Sequence, residues 1–191
     1  MSAILLTPPA TEPLSLAEAR DFLRLDHDED DDVLAALIAA ARLRVEAHTR
    51  RALIAQHWRL VRDCWPASGL LKLLPVPVRA LEAVRLWTEE GVPQELDLTA
   101  FVLDAVSAPA RLRFARDTLT QPGRPFAGIE IDIEAGYGAA AANVPAPLRH
   151  AIRLLVTHWY ENRALVNASG EVAAMPASVL SLVAPYRVVS L

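Results

Sequence analysis

The stretch "GIEIDIE" at residues 128–134 alternates Ile129, Ile131 and Ile133 with Glu130, Asp132 and Glu134. A period of two sends every isoleucine to one face and every carboxylate to the other, the signature of a strand with one wet face. The segments around it obey a different period. Val33, Leu34, Leu37, Ile38, Ala41 and Val45 recur at spacings of three and four, predicting a helix over 31–49 whose other face carries Arg42, Glu46 and His48. A shorter helix over 16–25 opens at Ser15, with Glu18 placed to complete a capping box, and sets Leu16, Ala19, Phe22 and Leu23 on one side. Beyond the Ala-rich "GYGAAAAN", Pro145 and Pro147 stand where a helix start needs no N–H. The helix they open, over 146–163, has Leu148, Ile152, Leu155, Val156 and Trp159 as its stripe.

Residues 55–138 are therefore the part that changes period. "QHWRLV" (56–61), "VRLW" (84–87) and "RLRF" (111–114) add further strands, with turns at Glu90-Gly91 and Pro122-Gly123. The expected fold class is α+β: an antiparallel helical bundle with a small, mainly antiparallel β-sheet inserted between the second and third long helices. One composite domain is expected, with residues 1–54 the N-terminal helical part, 55–138 the β-rich insertion, and 139–191 the C-terminal helices and tail. In that last part a weak linker, "NASGE" (167–171), leads to a short helix near 177–184, which Pro185 stops. Gly136 and Gly138 are expected to let the chain bend out of the sheet.

The most chemical-looking segment is "LDHDEDDD" (25–32), with carboxylates at Asp26, Asp28, Glu29, Asp30, Asp31 and Asp32. A calcium loop starting at Asp26 would put Asp31 where a glycine is needed and Leu37 where a bidentate glutamate is needed. Starting at Asp28 puts Val33 and Ala39 at those positions, and fails likewise. Carboxylates ahead of a helix have a simpler role, capping free N–H groups and favouring the positive end of the dipole. The run is expected to be an acidic joint between two helices.

Other candidates for chemistry fail on spacing. His158 and Glu161 are three apart on a helix, the spacing of a di-metal bundle ligand pair, but that motif needs a second copy and extra glutamates. His150 lies eight residues from His158, too far to share a metal. Cys64 and His57 are seven apart in or beside one strand and point to opposite faces, so Cys64 is expected to be a half-buried structural thiol. No phosphate loop, GxSxG elbow or HExxH occurs in the sequence. No catalytic residue, cofactor or resident metal is expected.

A net charge of −4, with basic residues scattered, argues against a protein that grips nucleic acid by neutralising phosphates. The single cysteine rules out an internal disulfide and fits a reducing compartment. The first residues, "MSAILLTPPATEP", lack a basic region and hold only a four-residue apolar run, so neither a signal peptide nor a membrane span is expected there. What remains is interaction surface. Trp159 and Tyr160 are adjacent, so one must face away from the shared core towards a second element or a partner. The tail "LVAPYRVVSL" (182–191) is apolar, with a Tyr and an Arg, residue types enriched at interfaces.

Three ordered blocks also resemble a known family. "LSLAEARDFLRLDHDEDDDVLAALIAAARLRVEAHTRRALI" (14–54), "IEAGYG" with "VPAPLRHAIRLLVTHWYENR" (144–163), and "MPASVLSLVAPYR" (175–187) look like the head–tail connector, or adaptor, proteins of tailed phages, prophages and phage-derived gene transfer particles. The resemblance implies a structural, non-enzymatic protein, assembled in the bacterial cytoplasm into a ring of about twelve copies at the head–tail junction. That ring would sit beneath a portal protein and above a tail-completion or stopper protein, with DNA passing through unbound. It also implies that the C-terminal segment reaches the portal, making Pro185, Tyr186, Arg187, Val188 and Val189 portal-contact candidates. In such a ring the acidic run would form a negative band, expected at the outer rim rather than in the channel. The alternatives are a small metal-dependent hydrolase using His158, Glu161 and the 26–32 carboxylates, or a bacterial binding module without a phage role.

Overall fold

The computed structural model describes residues 2–115, 119–162 and 175–189. The linker expected at 167–171, Arg163 and the last two residues of the tail lie outside the described residues. The chain forms two compact units, one built from residues up to Ala10, Ala55–Tyr137 and the chain from Val188 on, the other from Thr11–Ile54 and Gly138–Arg187. It mixes helices with antiparallel sheet, as the change of period requires.

The first unit holds two sheets where one was expected. The larger has the order β1-β2-β8-β4-β5, all antiparallel, from β1 (Ser2–Thr7), β2 (Gln56–Arg62), β4 (Val78–Trp87), β5 (Pro93–Glu95) and β8 (Ile129–Ala135). The alternating "GIEIDIE" becomes its central strand, with Ile129, Ile131 and Ile133 fully buried. The smaller sheet has the order β3-β7-β6, from β3 (Leu70–Leu73), β7 (Ala110–Phe114) and β6 (Phe101–Asp104). Leu71, Leu73 and Leu112 lie buried on one face, where Trp65, Phe101 and Phe114 pack with ring centroids 4.9–6.2 Å apart.

The first residues correct the sequence reading. Counted above with the helical part, Ser2–Thr7 instead pairs with β2 as an edge strand, with a register shift between Leu5 and Thr7. Every residue of β1 is exposed, so no alternation betrays it.

The second unit contains α1 (Leu16–Leu23), α2 (Asp31–Thr49), α3 (Ala146–Glu161) and α4 (Ala177–Val183). α1 begins with the expected capping box: Ser15 Oγ accepts from the Glu18 N–H while Glu18 Oε2 accepts from the Ser15 N–H. Arg24 ends it in the left-handed conformation. α2 buries Leu34, Ile38, Ala41 and Val45 from the expected stripe, but Val33 is exposed. α3 starts at Pro145 with Pro147 in its first turn and buries Leu148, Ile152, Leu155 and Val156. It packs against both α2 and α4. No helix among the described residues is long and apolar enough to cross a membrane.

Two buried ionic clusters correct the assignment of polar faces. Arg42, placed on the wet face of α2, is 8% exposed. Its Nε donates to Glu12 at 2.8 Å and its Nη1 to Glu46 at 2.9 Å, and Glu46 also accepts the Leu53 N–H at 2.8 Å. Asp132, on the expected wet face of β8, is 6% exposed. Arg59 from β2 grips both its oxygens at 2.8 and 2.9 Å, and Arg85 from β4 adds a third bond at 2.6 Å. Arg79–Glu134 and Arg59–Glu130 ion pairs flank this centre. The carboxylate face of the central strand is thus covered by arginines from both neighbouring strands.

Candidate functional site

The acidic run divides into spoken-for and available carboxylates. Asp31 opens α2 and receives the Arg20 guanidinium, with Nε 2.6 Å from Oδ1. Asp30 is the N-cap by position, yet its side chain makes no capping bond; it accepts the Tyr160 hydroxyl of α3. Asp31 and Asp32 lie in the first helical turn, where the dipole favours them. The expected joint is there, but side-chain capping is replaced by ties to Arg20 and Tyr160. Asp26, Asp28, Glu29 and Asp32 are exposed.

The remaining candidates stay apart. The His158 ring lies 3.4 Å from the Asn162 amide, one helical turn on, and no group of three His, Cys, Asp or Glu side chains suited to a metal occurs among the described residues. His57 pairs with Glu82 at 2.8 Å. Cys64 is exposed, correcting the expected half-buried thiol. Of the adjacent aromatics, Tyr160 is the one that reaches a second element, through Asp30.

The C-terminal segment is partly held and partly open. After α4, a 3-10 turn spans Ala184–Tyr186. Arg51 Nε donates to the Tyr186 carbonyl at 2.6 Å, and its guanidinium carbon lies 5.9 Å from the Tyr186 ring centroid. Val188 is 4% exposed and Val189 71% exposed, while Pro185 and Arg187 are exposed and Tyr186 half-buried. The segment therefore presents Pro185, Arg187 and Val189 outward, with Tyr186 half-covered beside Arg51.

Residues 13–90 match the family model for phage gp6-like head–tail connector proteins. Over that stretch the chain is similar to the head–tail connector family. The matched stretch takes in α1, the acidic joint, α2 and the strands β2 to β4. Solved structures extend the likeness over 100% of this chain and 97% of each relative. One is in the virion of a native gene transfer agent particle, with 28% identity and a TM-score of 0.83. A second is in the neck of an empty particle of that kind computed with C6 symmetry, at 29% and 0.84. A third is in the neck of a native particle computed with C12 symmetry, at 29% and 0.78. No curated protein matches the chain in sequence.

Two features of the chain escaped the sequence reading. The arginine centres on Glu46 and Asp132 bring together residues far apart in the chain, and only the pairing of strands and helices shows that burial. The sole local hint was the spacing of Arg42 and Glu46, one turn apart on α2.

Proposed function

We propose that the chain is a structural adaptor that joins a DNA-filled head to a tail, as a ring beneath the portal that continues the DNA channel. The observation that carries this reading is the full-length likeness to neck components of gene transfer agent particles, including a neck computed with C12 symmetry. The C6 and C12 symmetries of those necks support a ring, which we take to hold about twelve copies built by head-to-tail contacts that close by rotation. The portal lies on one side, a tail-completion or stopper protein on the other, and the helices of the second unit form an antiparallel bundle. A net charge of −4 suits a channel through which DNA slides without being held.

In this reading Pro185, Tyr186, Arg187 and Val189 meet the portal. Val188 is buried within the chain and acts as the anchor that aims them. The test is genetic and visual. Arg187→Glu with Val189→Asp is expected to yield heads without tails while the protein remains folded and soluble. Normal tail-bearing particles from that variant would remove the tail from the portal contact.

A further inference from the structure

The small sheet shows one face to solvent. Cross-strand register aligns Leu70, Arg113 and Val102 in one row, and Lys72, Arg111 and Asp104 in the next. All but Asp104 are exposed. With Ser68, most of these residues line an open groove of about 370 Å³. Asp104 is engaged by its own turn, accepting from Ser107 Oγ at 2.6 Å and from the Val106 and Ser107 N–H groups at 3.1 Å. Neither Arg111 nor Arg113 makes an ion pair among the described residues. Asp104 also lines the groove and feels the Arg111 charge across the row, so two arginines stand against one carboxylate and the groove is net cationic, with Arg113 between two exposed apolar side chains.

The α1–α2 joint is its chemical counterpart. Asp26, Asp28, Glu29 and Asp32 are exposed and make no ion pair among the described residues, and the exposed Phe22 and Val33 flank them in the chain. One patch is cationic with apolar neighbours, the other anionic with apolar neighbours. Each copy carries one of each, which is what a closed head-to-tail ring requires.

Resting on the ring reading above, we propose that the groove on the small sheet receives the acidic α1–α2 joint of the neighbouring copy. Arg111 and Arg113 face Asp28 and Glu29 of that copy, and Leu70 and Val102 cover its Phe22 and Val33. DNA is the weaker occupant, because a phosphate backbone offers nothing to the exposed Leu70 and Val102.

The test traps the contact between copies. In chains carrying Cys64→Ser, Glu29→Cys is placed on one tagged chain and Arg113→Cys on another, and both are expressed together in particle-producing cells. Purified particles are expected to yield a disulfide-linked dimer of the two tags under mild oxidation, with no dimer when either chain is expressed alone. Like charges set across a contact oppose it, so Arg111→Glu on the Arg113→Cys chain should lower dimer yield more than about tenfold. Asp28→Lys on the other chain should then restore it. Particles that contain both chains and give no dimer overturn the proposal. So does an Arg111→Glu variant that alters DNA retention while dimer yield stays unchanged, since the groove would then serve DNA. Particles that lack even the wild-type chain overturn the connector reading itself, and the contact falls with it.

Discussion

Asp132 shows how much a single residue's role depends on its neighbours. Burial opposes its ionised form, but hydrogen bonds from Arg59 and Arg85 outweigh burial and hold its pKa below the ordinary aspartate value. A carboxyl whose pKa is lower folded than unfolded stabilises the fold above the unfolded value of about 3.9, and that contribution is lost as pH falls through the folded value. Asp132→Asn should therefore destabilise the protein by about 2 kcal/mol at neutral pH, read by urea denaturation. The gap between variant and wild type should close as the pH drops below about 4. Arg42→Met removes the partner of Glu12 and Glu46 and leaves buried Glu46 short of charge, so a loss of about 2–4 kcal/mol is expected in the same measurement. Neither role was legible from the chain alone. Periodicity says which residues share a face, and it placed Arg42 and Asp132 on polar faces. It says nothing of the arginines that adjacent strands bring over that face, nor of Glu12 reaching α2 from the segment before α1.

At the scale of elements, the features set by local chemistry were the legible ones. Ser15 and Glu18 form their capping box because the two side chains are within reach of each other's N–H whatever the rest of the chain does. Ser15→Ala should cost about 1 kcal/mol in thermal or urea unfolding. Glu18 also pairs with Arg149 and Arg153 of α3, so Glu18→Gln, which can keep the box, isolates the charge contribution. Gly138 stands at the passage from the first unit to the second with φ +158°, and a Cβ there would run into the Asn143 side chain that receives the Ala140 N–H. Gly138→Ala is expected to destabilise by about 1–3 kcal/mol. β1 was missed for an equally physical reason. "AILL" has no alternation because an edge strand exposed along its whole length has no face to specify. β3, β5 and β6 are only three or four residues long, too short for a period to declare itself.

For the whole molecule, the three blocks quoted from the sequence lie in α1–α2, at the end of β8 and through α3, and in α4 with the segment after it, and their order along the chain carried the family resemblance. The contact surfaces were less legible, because exposure is a property of the assembled fold. Sequence alone made Val188 equal to its neighbours, whereas the fold buries it and leaves Val189 open. The acidic run likewise looked uniform, until Asp30 and Asp31 turned inward to Tyr160 and Arg20. A structural ring at the head–tail junction is tested by image reconstruction of the neck of particles from cells that make this chain. The expected result is a closed ring of this chain between portal and tail, surrounding the DNA channel. A complete neck whose density has no place for this chain would contradict it.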